Sequence, residues 1–139
     1  MQYLLTIYID ESAVDAVPPE QGVKVTEAYE ALTAELKQAG VFLGGEGLQR
    51  TSTATTVRVR DGEPLLTDGP FAETREQLAG FYLLECADLD EATRWASKVP
   101  SAATACADSR RNRRSRSAVT VRRAPPRRRP APGRPGPRR

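Results

Sequence analysis

Histidine is missing from this chain altogether, and cysteine, methionine and tryptophan are scarce: 2 Cys, 1 Met and 1 Trp in 139 residues. Without imidazole, the chain has no histidine base, no histidine-partnered nucleophile and no histidine metal ligand. The two cysteines are Cys86, in an apolar segment, and Cys106, in a basic tail. They form neither a disulfide framework nor a metal-ligand spacing, so both read as free thiols, and neither metal nor cofactor is expected. Hydroxyl residues such as Thr51, Ser52 and Thr53 have no visible base to activate them, which leaves nucleophilic catalysis unsupported. No apolar run approaches the roughly 20 residues a membrane-spanning helix needs, and Tyr3-Leu4-Leu5 follows directly on the start without a basic leader. The reading is a cytoplasmic protein with no membrane contact.

Charge divides the chain in two. Residues 1–100 hold 8 Lys and Arg against 17 Asp and Glu, a net −9, whereas residues 101–139 hold 13 Arg and the single acid Asp108, a net +12. An acidic body argues against nucleic-acid binding by that body, because phosphate contacts need clustered cations. The apolar fraction of 39% is low for a domain filling the whole length, which points to a compact body followed by an appendage.

Within the body, residues 2–9 form a near-continuous β-branched and aromatic run, suited to an interior strand covered on at least one face. Asp10 to Pro19 breaks it. Val25, Ala28, Tyr29, Leu32 and Leu36 then recur at three- and four-residue steps, the stripe of an amphipathic helix over about 23–39, with Gly40 placed to end it. Val41-Phe42-Leu43 and Leu48 belong to the next extended stretch, where Gly44, Gly45 and Gly47 let the backbone bulge. That loop is no P-loop, for it has neither the lysine nor a following helix. Residues 54–60 alternate, with Thr55, Val57 and Val59 opposite Thr56, Arg58 and Arg60, and Asp61-Gly62 signals a hairpin turn before Leu65-Leu66-Thr67. Gly80 to Cys86 makes a further strand. Asp88 then caps a second helix that runs to about Val99, with Glu91 in capping-box position and Leu89, Ala92, Trp95, Ala96 and Val99 inward.

The richest stretch is Asp68-Gly69-Pro70-Phe71-Ala72-Glu73-Thr74. Asp68 suits a turn, Gly69 admits positive φ and Pro70 fixes φ, so the segment holds a carboxylate and a phenyl ring in set orientation. Three carboxylates, Asp68, Glu73 and Glu76, gather there.

Together with Gly44-Gly45-Glu46-Gly47-Leu48, Ala54 to Arg58, Gly80 to Glu85 and Asp88 to Ala96, this motif resembles the YCII-related proteins with a DGPF motif, over roughly residues 1 to 103. The resemblance implies a small α+β fold of the ferredoxin-like, dimeric α+β barrel type, with a cleft at or near the dimer interface. It implies a homodimer and an unknown small-molecule ligand. Some relatives are associated with sigma factors, so it also implies, as an alternative, a non-enzymatic interaction module with a transcription-related partner. The wider family is thought to use a His–Asp pair. Only an acidic partner carries over here, and Asp68 is the candidate catalytic residue, set against a plain role capping the turn. The candidate ligand-binding residues are Arg58, Asp68, Gly69, Pro70, Phe71, Glu73 and Tyr82. Against this, Arg58 and Arg60 suit solvated ion pairs with Glu63, Glu73 or Glu76, and Phe71 and Tyr82 suit a core or dimer interface.

The order β-α-β-β-β-α lacks one strand of a ferredoxin-like sheet. Residues 104–139 are rich in Arg, Pro and Ser, with Val119-Thr120-Val121 the only strand-like island. The composition predicts a disordered basic tail. A genuine arm of this kind would bind nucleic acid or another polyanion. Thirteen Arg without Lys, among Ala, Pro, Gly and Ser, is also what GC-rich codons give when read out of frame, and a frameshift is the favoured reading. The last strand is therefore expected to be missing, or replaced by Val119-Thr120-Val121.

Overall fold

A computed structural model of the chain describes residues 1–102 and 118–124. In chain order the elements are β1 (Gln2–Ile9), α1 (Glu11–Asp15), α2 (Pro19–Gln38), β2 (Phe42–Gly47), a 3-10 turn (Thr51–Thr53), β3 (Thr55–Arg60), β4 (Glu63–Asp68), β5 (Gln77–Glu85), α3 (Leu89–Ser97) and β6 (Ala118–Arg123). Four strands form one antiparallel sheet in the order β2-β5-β1-β6, while β3 and β4 make a separate two-stranded hairpin. The protein is an α+β fold with its helices on one face of the four-stranded sheet.

Alternation along the strands decides which residues meet those helices. Tyr3, Leu5 and Ile7 of β1 and Tyr82 and Leu84 of β5 are buried with Leu32 and Leu36 of α2, Ala92 and Ala96 of α3, and Val41, Cys86 and Val99. The rings of Phe42 and Tyr82 meet edge to face at 6.3 Å. Each strand of the β2–β5 and β1–β5 pairs is kept in step by an irregularity. Leu43 is the extra residue between Phe42 and Gly44, and Ala79 the extra residue opposite the Ile7/Tyr8 step. Close approach of β2 and β5 requires glycine at two points: a Cβ on Gly45 would lie 2.7 Å from the Tyr82 ring, and one on Gly80 would lie 2.7 Å from the Glu46 carbonyl oxygen.

The helix ends follow local chemistry. Gly40 has φ 71°, its N–H donates to the Lys37 carbonyl, and the Val41 N–H donates to Leu36, a Schellman ending with Leu36 and Val41 both buried. At α3 the Asp88 carboxylate accepts the Glu91 N–H at 2.8 Å, as expected of the cap, while the Glu91 carboxylate reaches one residue beyond the N-cap and accepts the Ala87 N–H at 2.7 Å. Asp61 and Gly62 both have positive φ, 52° and 84°, as the two-residue turn between β3 and β4 requires.

Several expectations need correction. The break after β1 contains α1, capped by Asp10, whose side chain accepts from the Ser12 and Ala13 N–H groups. Helix α2 starts earlier, at Pro19, where a missing N–H costs nothing. Its first half has no sheet beneath it, so Val25 and Ala28 are exposed and only Tyr29, Leu32 and Leu36 face inward. Leu89 is likewise exposed at the start of α3. The alternation read in β3 stands, and its apolar face is exposed, with β4 its only strand partner among the described residues. The tail is not without structure throughout: Ala118–Arg123 pairs antiparallel with β1, Leu5 opposite Val121 and Ile7 opposite Val119. Val119 and Val121 pack on the core, so the island weighed as a substitute takes the edge position. The remainder of the tail, with Cys106 and the arginine clusters at 110–116 and 127–129, lies outside the described residues.

Candidate functional site

The hairpin and the motif leave the sheet at one end. There β1 finishes at Ile9, β2 at Gly47, and β5 and β6 begin at Gln77 and Ala118. Short α1 lies beside this end and ties down the chain entering the hairpin. The Glu11 carboxylate accepts both the Thr51 N–H and the Thr51 hydroxyl, each at 2.9 Å, and Asp15 forms a two-pronged pair with the Arg50 guanidinium. Gln77 links the same helix to the returning chain: its side-chain oxygen accepts the Glu11 N–H at 3.1 Å, and its amide nitrogen donates to the Thr74 carbonyl at 2.6 Å.

A shallow cleft of about 480 Å³ opens beside this junction, lined by Tyr8, Thr74, Arg75, Glu76, Ala118 and Thr120. Tyr8 follows Leu4 and Thr6 on the face of β1 opposite Tyr3, Leu5 and Ile7, so the cleft lies on the sheet face that the helices leave open. Arg75 approaches Asp10 at 3.9 Å. The Asp10 carboxyl is held below the ordinary carboxylate range chiefly by the Ser12 hydroxyl, which outweighs the opposing effect of desolvation, with the Ala13 and Ser12 amides and the Arg75 charge adding less. Asp15 is lowered in the same direction by its bond to Arg50. This corner of the molecule therefore carries fixed anions that orient its two arginines. Hydroxyls, one guanidinium and one carboxylate suit recognition of a small polar molecule; among the described residues no three Asp, Glu or Cys side chains converge as a cation set.

The sequence-predicted site residues are not all brought together. Gly69 has φ 95°, its N–H donates to the Ala54 carbonyl at 2.8 Å and its carbonyl accepts the Thr56 hydroxyl at 2.9 Å, so the turn is built as read. Asp68 stands opposite Thr55 at the end of β4 with its side chain exposed. Pro70, Phe71 and Glu73 are exposed too, Phe71 at 78%. Arg58 does meet the motif, its guanidinium 5.3 Å from the Phe71 ring centroid, a cation–π contact in place of the ion pairs expected with Glu63, Glu73 or Glu76. Tyr82 does not join them. It is 7% exposed, on the helix face, with its hydroxyl 3.0 Å from that of Thr33, so it belongs to the core. Cys86 is also core, and burial raises its thiol pKa, which keeps it protonated and unreactive. Sequence reasoning missed Tyr8, Thr74, Arg75 and Thr120. The signal for Tyr8 was present in the strand alternation, whereas Thr120 enters only through a strand pairing 114 residues away in sequence.

The strand order, the one-sided helices and the turn after β4 define a small α+β domain of a recognisable class. The model of the YCII-related domain matches residues 1–114, and the chain belongs to that family. It is 40% identical over 102 residues to a protein of Rhizobium meliloti (strain 1021) described as uncharacterized, a match covering 73% of this chain and 82% of the relative.

Proposed function

We propose that the protein is a homodimeric, ferredoxin-like module of the dimeric α+β barrel type that binds a small polar molecule in the cleft beside the Asp68–Phe71 turn. The sheet order β2-β5-β1-β6 supports the ferredoxin-like reading. The observation that carries the function is the cleft itself: Tyr8, Arg75, Glu76 and Thr120 converge on the sheet face that no helix among the described residues covers. The same face carries Leu4, Phe81 and Leu83, half-buried within one subunit, which suits a second copy laid against it. Asp68 and Arg58 stand at the rim in this reading, and Gly69 and Pro70 shape the turn. With no imidazole in the chain, binding is the activity the side chains support, and Asp68 as a lone catalytic carboxylate is secondary.

The test is light scattering on the wild type and on Leu83→Arg, followed by a thermal-shift screen of small carboxylates, phosphates and amines on the wild type and Arg75→Ala. A dimer that Leu83→Arg dissociates, and a hit that Arg75→Ala abolishes, support the proposal. A hit that survives Arg75→Ala places the ligand elsewhere. The same experiment separates the alternative interaction module, whose partner binding would depend on the open face and be indifferent to Arg75.

A further inference from the structure

The hairpin β3–β4 is an orphan in its own subunit. Cross-strand register places Val57 opposite Leu66 and Val59 opposite Pro64, so these four residues share one face, an apolar stretch that gives way to Thr55 and Asp68 only at the base of the hairpin. Val57, Leu66 and Val59 are 60%, 66% and 69% exposed. An isolated two-stranded ribbon is marginal in water and needs something to pack on. The chain entering it is tied to α1, Thr51 by Glu11 and Arg50 by Asp15, while the Gly69 N–H closes the hairpin on itself at the Ala54 carbonyl. Among the described residues the sheet face carrying half-buried Leu4, Phe81 and Leu83 is also left open by the helices, and the hairpin is rooted at the end of that sheet.

We propose that the hairpin is a dimer arm, which lays its Val57, Val59, Pro64 and Leu66 face on the open sheet face of the partner subunit and closes the partner's cleft. The occupant is a second copy because the two surfaces are complementary in character and belong to one chain. Size agrees. Four apolar side chains about two-thirds exposed offer on the order of 250 Å² per arm, taking about 60–120 Å² for each fully buried Val or Leu. Two symmetric arms offer about 500 Å², against the roughly 1,200–2,000 Å² of a stable interface. The arms thus complete an interface and do not form one alone, which is why the sheet face must take part. The cleft argues the same way. It is shallow and open to solvent, whereas small-molecule sites are enclosed. An arm from the partner would supply the missing wall, so each site is incomplete in a single subunit.

This inference rests on the homodimer proposed above, and the experiment separates the two. A benzophenone photocross-linker replaces Leu66 in full-length chains carrying two different tags, co-expressed and irradiated. The expected product joins the two tags, with the linked peptide in β1 or β5 of the second chain. Adducts confined to one chain, or none, overturn the arm. In parallel, Leu66→Glu and Val59→Glu are each expected to raise the dimer dissociation constant at least 100-fold with an unchanged far-ultraviolet circular dichroism spectrum. If Leu83→Arg dissociates the dimer and both arm variants leave it intact, the sheet-face dimer stands and the arm falls. A wild type that stays monomeric at every concentration sinks both.

Discussion

Asp68→Asn tests what the motif's first residue is for. A carboxylate that caps its turn accepts backbone N–H bonds, and losing such a charged acceptor costs about 1–3 kcal/mol. Here the Asp68 side chain is exposed, and the turn is held instead by main-chain and Thr56 contacts to Gly69. The substitution keeps shape and removes charge, so its cost should stay within about 0.5 kcal/mol, the range of surface changes that break nothing. Gly69→Ala provides the contrast. Nothing lies within 4 Å of the added methyl, yet φ 95° strains any L side chain by about 1–3 kcal/mol. Urea unfolding at fixed protein concentration reads both: with a slope near 1.5 kcal/mol/M, Asp68→Asn should move the midpoint by less than about 0.3 M and Gly69→Ala by about 1 M. The concentration must be fixed because a dimer's stability depends on it. A loss above about 1 kcal/mol in Asp68→Asn would refute the reasoning and return the residue to its turn-capping role. A silent stability profile with weakened ligand binding would place it at the rim of the site.

Tyr82→Phe removes the hydroxyl contact with Thr33 and should cost about 1 kcal/mol of stability while leaving ligand affinity unchanged; altered affinity in equilibrium binding would mean that Tyr82 does reach the site. Gly80→Ala drives a methyl to 2.7 Å from the Glu46 carbonyl oxygen, so β2 must shift, at about 1–3 kcal/mol. Faster amide exchange confined to β2 and the adjoining part of β5 is the expected signature, and exchange at wild-type rates would show that the strands have room after all. For acid, the sign follows from lowered folded-state pKa values at Asp10 and Asp15, both below 3.8. The stabilisation they give is present above pH 3.8 and lost as pH falls further, through their depressed values. Carboxyl carbon NMR titration should place both midpoints below 3.8; midpoints at or above it would mean the Ser12 and Arg50 bonds do not persist in solution.

Much of the fold could be read from local signals, and the misses share a cause. Helix stops, the Asp61-Gly62 turn, the Asp88 cap and the Gly69 conformation are decided by a few adjacent residues, and each was legible. The inward stripe of α2 was over-read at Val25 and Ala28 because periodicity shows which face is apolar but not how far the sheet beneath it extends. Alternation in β3 was read correctly, yet alternation cannot say that a strand leaves the main sheet. The site shows the same division. The turn at Asp68-Gly69 was visible in sequence, whereas the cleft depends on β1 meeting β6 and on α1 clasping the hairpin base. Tyr82 was left between pocket and core because its side of β5 is fixed by registry with Leu5 on β1, and an aromatic in a strand carries no mark of its own side.

The central place of β1 has a consequence for how the molecule is made. This strand leaves the ribosome well before its two neighbours, β5 and β6, and the contact between Thr6 and Thr120 spans 114 residues. Contacts so distant must await loop closure before they stabilise anything, which slows folding. During synthesis the apolar strand Gln2–Ile9 therefore stays without a pairing partner until most of the chain has emerged. A nascent chain stalled before Gln77 would present a naked β-edge, the kind of segment that chaperones bind and that aggregates in their absence.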